Sequence, residues 1–210
     1  MPEAVWATLL SGNQRFIDGT PEHPRQDAER RSQTSGAQNP SVAIFGCSDS
    51  RLAAEIIFDI GLGDAFVVRN AGQVIGNSIV ASLEYAVSVL GVRLIVVLGH
   101  DRCGAVLAAI ESQAPDAAPL PPHIQEHIAR IVPAVHRVAG GTEAARTNAR
   151  SLDAQAVGRA HLHDTIDELV QTSELISEAI ANGTLAIVGA NYQLSDGRVS
   201  PDVVVGTITS

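Results

Sequence analysis

Three short apolar runs rich in β-branched residues, SVAIFGC (41–47), AFVVRNAG (65–72) and RLIVVLGH (93–100), alternate with stretches of helical periodicity. That alternation constrains the fold more than any other feature of the chain. A strand followed by a helix returns to its sheet by a right-handed crossover, so the three runs are predicted to lie parallel, with helices on both faces. A fourth run, LAIVGANYQL (185–194), is expected to join them, and a fifth, DVVVGTI (202–208), follows the tight turn SDGRVSP and should add an antiparallel edge. The predicted class is α/β: a three-layer αβα arrangement around a mainly parallel central sheet of four strands plus an antiparallel edge strand. Helices are predicted at 3–18, 52–60, 77–90, 103–113, 122–139 and 151–181, with RRSQTSGAQNPS and SQAPDAAPLPP as loops. At 210 residues the chain suits one domain, read as an N-terminal helical arm and loop at 1–37 and an α/β core at 38–210. The opening helix spreads Trp6, Leu9, Leu10 and Phe16 over more than one face, which predicts that it packs on a partner subunit.

Composition narrows the function. A formal charge of −9 argues against non-specific binding to nucleic acid or to an anionic membrane surface. All fourteen basic residues are arginine, so no lysine can act as a nucleophile or form a Schiff base. No stretch approaches the ~20 apolar residues of a membrane helix, and the opening MPEAVWATLLSGNQRF has no basic flank before an apolar run, so a cytoplasmic protein is expected. The sequon NGT at 182–184 then reads as a helix-ending Asn-Gly. In a reducing compartment the only two cysteines, Cys47 and Cys103, are more often reactive or metal-bound than paired.

Both cysteines stand where strands give way to helices. In FGCSDSRL (45–52) an apolar run ends in Cys47, Asp49 and Arg51 before a helical pattern starts; in LGHDRCGAV (98–106) the same change brings His100 and Cys103. Neighbouring parallel strands would bring Cys47, His100 and Cys103 together at their carboxyl ends, in the crevice where ligands bind to open α/β sheets. Two thiolates and an imidazole make a three-ligand zinc site with a fourth position open, the arrangement of a catalytic zinc. Cys103 is expected near the first turn of its helix with Asp101 as N-cap, where free N–H groups favour the thiolate. Asp49 can either bind the metal itself or accept a hydrogen bond from the metal's own nucleophile, and Arg51 can hold it by a bidentate pair. Zinc lowers the pKa of a bound water from about 15.7 towards 7. Two thiolates donate more charge than imidazoles, so activity is expected to rise above neutral pH.

CSDSR followed by GHDRCGAV, with FVVRNAG and SLEYAV between them, resembles the β-class carbonic anhydrases. The spacing conforms from Gln38 to Cys103, and the flanks fit more loosely. The resemblance implies a Zn2+ ion held by Cys47, His100 and Cys103, Asp49 and Arg51 as the catalytic dyad, and reversible hydration of carbon dioxide to bicarbonate and a proton. It further implies a substrate pocket that includes Gln38, Phe66, Tyr85 and Gly104, partly contributed across the subunits of a homodimer that can assemble to a tetramer. In some relatives Asp49 swings onto the metal and shuts the site; the subgroup that couples closure to a second bicarbonate site has tryptophan where this chain has Ile44, although Arg69 and Tyr192 stand where that site would want polar groups. The plant-like, open-site subgroup is therefore the expectation. Asp101 and Arg102 depart from the commonest pattern, a hydroxyl residue and a neutral one. Two alternatives use the same zinc: hydrolysis of carbonyl sulfide or carbon disulfide, and a non-catalytic, zinc-stabilised bicarbonate sensor.

Other signals are weaker. HIQEH (123–127) sets His123 and His127 one helical turn apart but lacks the glutamate of the metalloprotease pattern, so a solvated histidine face is expected. His161 and His163 point to different faces of a helix. GLGDAF (61–66) precedes a strand and reads as a turn.

Overall fold

The computed structural model describes residues 1–208. Two helices open the chain, α1 (Pro2–Ile17) and α2 (Ala28–Gln33), and are followed by β1 (Val42–Cys47), α3 (Ala54–Ile57), β2 (Ala65–Asn70), α4 (Asn77–Ser88), β3 (Leu94–His100) and α5 (Gly104–Glu111). Then come α6 (Pro122–Ile128), α7 (Val132–Ala139), α8 (Thr142–Asn148), α9 (Ala154–Thr172), α10 (Glu174–Ala181), β4 (Ala186–Tyr192) and β5 (Val199–Val205). The sheet order is β2-β1-β3-β4-β5; β2, β1, β3 and β4 run parallel and β5 pairs antiparallel with β4. The mixed α/β architecture is the one the alternating pattern predicts.

Alternate residues of the central strands face two different cores. Val42, Ile44, Leu94, Val96 and Leu98 join one cluster with Trp6, Leu9, Ile57 and Val106, so α1, α3 and α5 cover that face. Ala43, Phe45, Ile95 and Val97 join the other with Leu83, Leu162, Ile166 and Ile176, under α4, α9 and α10. A strand buried on both sides needs a continuous apolar run, which is why β1 and β3 read as they do. Each fully buried large side chain, such as Phe45, contributes ~1.5–3 kcal/mol. Close approach fixes α9 on the sheet: a Cβ on Gly189 would stand 2.6 Å from Ile166 Cδ1 and 2.7 Å from Val203 Cγ1.

Several boundaries differ from the sequence expectation, each for a local reason. The helix expected at 122–139 is two, because Pro133 lacks an N–H and its ring would clash with the carbonyl four residues back. The helix expected at 151–181 begins at Ala154 and breaks at Ser173, whose hydroxyl accepts from the Ile176 N–H (3.2 Å) and caps α10 while donating to Glu84 (2.7 Å). α3 keeps only four residues, since Asp59 adopts a left-handed backbone (φ 45°). Short helices at Ala28–Gln33 and Thr142–Asn148 were not expected. β5 starts at Val199 and takes in Pro201, which an edge strand tolerates.

The opening helix packs on its own chain. Trp6 and Leu9 are buried against the chain's own core, with Leu10 and Phe16 packed on it. Asn13 donates to the carbonyls of Ile57 (3.1 Å) and Gly197 (2.8 Å) and accepts from the Val199 N–H (2.9 Å). The apolar residues from which a partner contact was expected thus serve the chain's own core, and Ala4, Ala7 and Thr8 of the same helix stay exposed. No helix among the described residues is long and apolar enough to cross a membrane.

Candidate metal centre

From β1 the chain crosses to β2 on one side, and β3 lies on the other, so the strand order reverses between β1 and β3. Cys47 is the last residue of β1 and His100 the last of β3, side by side at that reversal; Cys103 is the N-cap of α5. All three are buried, and one ligand atom from each lies within 4.8 Å of the others. The sulfurs are 3.9 Å apart. Two sulfurs at about 2.3 Å from a tetrahedral zinc would stand roughly 3.8 Å apart, so the spacing fits such an ion. His100 Nδ1 donates to the Asp101 carbonyl (2.8 Å), which leaves Nε2 unprotonated, and that atom is buried with no hydrogen-bond partner. An orphaned imidazole nitrogen beside two sulfurs suits a borderline or soft divalent ion and not magnesium or calcium. The turn from His100 to Cys103 passes through Arg102 with φ 50°, a left-handed conformation that costs roughly 1–2 kcal/mol in a residue with a side chain.

The sulfurs share their protons unequally. Cys47 is pushed down from its ordinary value, first because Cys103 donates to it; burial opposes this, while the N–H groups of Gly72 and Asp49 assist. Cys103 is pushed up by that same hydrogen bond and by burial. A divalent ion held by Cys47 and Cys103 would require both as thiolates, and so would replace the shared proton. The Gly72 N–H lies 3.2 Å from Cys47 Sγ, and it can do so because Gly72 has φ 76°, with Ala105 only 2.7 Å from where a Cβ would be.

Asp49 and Arg51 form the bidentate pair the spacing predicts: Nε to Oδ1 at 2.9 Å and Nη2 to Oδ2 at 2.7 Å. The Arg51 side chain holds Asp49 well below the usual carboxylate range, against the opposing effect of burial. Arg69 pins the turn beneath, donating to the carbonyls of Cys47 (2.9 Å) and Asp49 (2.6 Å). Asp101 does not cap α5 as expected; its Oδ1 accepts from the Leu194 N–H (2.8 Å), tying the turn to the end of β4, and Cys103 takes the N-cap position with no side-chain acceptor.

The residues expected at the substrate pocket divide. Gly104 follows Cys103 as the first residue of α5, and a Cβ there would meet nothing within 4 Å. Phe66 lies level with Ala43, four residues down the sheet from the Cys47–Asn70 level, or roughly 13 Å at ~3.3 Å per residue. Its ring contacts Tyr85 with centroids 6.1 Å apart. Gln38 is exposed in the segment before β1, also at the amino end. Within one chain these three do not reach the Cys47–His100–Cys103 cluster. Tyr192 is buried, and His163 is half-exposed 3.5 Å from Asp202.

Sequence reasoning missed the support around Gly72. His127 Nε2 donates to the Ala71 carbonyl (2.6 Å), His161 Nε2 to the Gly72 carbonyl (2.7 Å), and the Thr165 hydroxyl to the Gln73 carbonyl (3.3 Å). A signal existed: His161 and Thr165 fall at four-residue spacing with Val157 and Leu169, so they are polar groups on an apolar helix face.

Fold and site together define an α/β protein with three candidate metal donors at a topological switch point. The family profile described as "Carbonic anhydrase" matches residues 42–199. Carbonic anhydrase 2 of Mycobacterium tuberculosis is 47% identical over 197 residues, covering 94% of this chain and 91% of that one. The carbonic anhydrase of Mycolicibacterium smegmatis is 46% identical, covering 94% and 92%. A crystal structure from work on two tetrameric β-carbonic anhydrases of Sordaria macrospora superposes with a TM-score of 0.70 at 22% identity, over 95% of this chain and 97% of that one. The chain belongs to the carbonic anhydrase family, and its fold is that of the β-class structures.

Proposed function

We propose that this enzyme catalyses reversible hydration of carbon dioxide to bicarbonate and a proton, with zinc held by Cys47, His100 and Cys103. The observation that carries the reading is the buried, unpartnered Nε2 of His100 converging with two sulfurs 3.9 Å apart. Bound there, zinc would supply the Lewis acidity that makes water nucleophilic near neutral pH. Asp49 keeps lone pairs free after accepting from Arg51, so it can accept a hydrogen bond from the attacking water and aim it. Because Arg51 depresses its pKa, Asp49 stays ionised throughout the neutral range. The same bidentate hold engages both its oxygens with Arg51, and among the described residues only Cys47, His100 and Cys103 converge as donors, which supports an open coordination position and the open-site subgroup. Gly104 leaves space beside Cys103 for substrate.

The apolar wall for carbon dioxide is Phe66 and Tyr85, with Gln38 as a donor to bicarbonate, all supplied by a second copy of the chain. Their position at the amino end and the exposure of Tyr85 (44%) support a homodimer, a basis for the tetramer form. The chain acts as one domain, with residues 1–37 as an arm on the core, and reduced Cys47 and Cys103 fit a cytoplasmic setting. The test is stopped-flow carbon dioxide hydration on reduced protein of known zinc content. A rate that scales with zinc, rises above neutral pH and is lost in Asp49→Ala is expected; inactivity at one zinc per chain would overturn the proposal.

A further inference from the structure

The segment between β2 and α4 reaches the cluster without regular structure of its own. Gly72 and Gln73 both have positive φ (76° and 43°), and four successive carbonyls, Ala71 to Val74, accept from side chains: His127, His161, Thr165 and Asn70. One of these bonds differs in kind. The Ala71 carbonyl and the Gly72 N–H belong to the same planar peptide and point in opposite directions. Whatever holds that carbonyl therefore aims that N–H. His127 holds the carbonyl at 2.6 Å, and the N–H meets Cys47 Sγ at 3.2 Å. A carbonyl can only accept, so His127 presents Nε2–H, and the two hydrogen bonds polarise the peptide in the same sense.

We infer that His127 is a positioning residue for the metal thiolate, acting through the Ala71–Gly72 peptide to hold an N–H donor on Cys47. His161 locks the following carbonyl and keeps the peptide from rotating. Hydrogen bonds to a ligand sulfur draw off negative charge, so His127 tunes both how strongly Cys47 holds a metal and how much charge it passes on. The inference rests on Cys47 being a metal ligand, as proposed above.

The test uses the full-length protein loaded with cobalt or zinc. The unmodified chain should take up one cobalt with a sulfur-to-cobalt charge-transfer band; failure to do so would overturn the metal reading, and this inference with it. Given that band, His127→Leu should move it to longer wavelength and weaken zinc, by chelator competition, about 10–100-fold. His127→Gln, which returns an N–H near the same place, should recover most of the affinity, and His123→Leu, an exposed residue one turn away, should change neither readout. A His127→Leu protein with an unmoved band and unchanged affinity would overturn the inference alone. Should that variant not fold, cadmium-113 loading of the unmodified protein decides: a scalar coupling from the Gly72 amide proton to the metal supports the bond to Cys47, and its absence overturns it.

Discussion

The two ends of the sheet are built differently. At the carboxyl end, Cys47, His100, Cys103, Asp49 and Arg51 are set by two adjacent strand ends and the turns that follow, and Arg69 and Gly72 fix those turns from within the chain. At the amino end, Phe66 lies on the edge strand β2, whose residues are mostly half-buried and whose far side has no strand beside it among the described residues, with Tyr85 of α4 against it and Gln38 in the exposed segment before β1. On the proposed reading the chemistry is self-contained, while the pocket is shared between copies. A carbon dioxide molecule carries no net charge to grip, so affinity has to come from an enclosing apolar wall, which the proposed reading draws from a second copy.

Substitutions at the carboxyl end should produce the largest effects. Cys103→Ser removes a soft ligand, so zinc content should fall well below one per chain and hydration by at least about 1,000-fold, given that metal catalysis is worth several kcal/mol. Elemental analysis with stopped-flow rates checks both. Asp49→Asn should keep the metal but cost about 100–10,000-fold, the usual range for a positioned acid or base. Full activity in that variant would show that the carboxylate is only the anchor for Arg51. Arg51→Lys keeps the charge but loses the fork, and should fall between wild type and Asp49→Asn.

An intermediate effect is expected from the amino end, and it can separate the two regions. Tyr85→Ala should lower kcat/KM about tenfold, roughly 1.4 kcal/mol, with zinc and fold intact. Mixing Tyr85→Ala chains with Cys103→Ser chains should then restore activity, because each mixed dimer holds one site with an unaltered metal side and an unaltered Tyr85 from the other copy. If no activity above that of the separate variants appears, the pocket is not shared.

How far sequence reveals each region follows from the same contrast. The cluster is legible because its residues end apolar runs, and a strand end followed by a helix start fixes direction and location together. Phe66 and Tyr85 carry no such mark: aromatic residues on a strand and a helix are ordinary core, and only resemblance to a family assigned them to a pocket. The break at Ser173 was hidden because a serine inside a helical pattern gives no sign that its hydroxyl will turn to the Ile176 N–H. The support from His127 was hidden because its partner is a backbone carbonyl 56 positions away, which periodicity cannot see. Asp101 pointed the wrong way because its acceptor role is taken up by Leu194, a pairing set by the β3–β4 register.

The smallest effect expected lies at the arm, and it should leave the chemistry untouched. Asp59 is buried and accepts from Arg15 Nε (2.6 Å) and from the N–H groups of Glu22 and His23 (both 2.9 Å), tying α1 and the following loop to the end of α3. Burial alone would raise its pKa; those hydrogen bonds outweigh it and the net shift is downward. A depressed folded-state pKa stabilises above the unfolded value of about 3.9, and that contribution is lost as pH falls through the folded value. Asp59→Asn should therefore lower stability by about 1–3 kcal/mol at pH 7, and the gap to wild type should narrow below about pH 4. Urea midpoints at both pH values measure it. Activity per zinc-loaded chain should stay at the wild-type level; a fall would mean that the arm, and through it the amino end, sets the geometry of the metal cluster within a single copy.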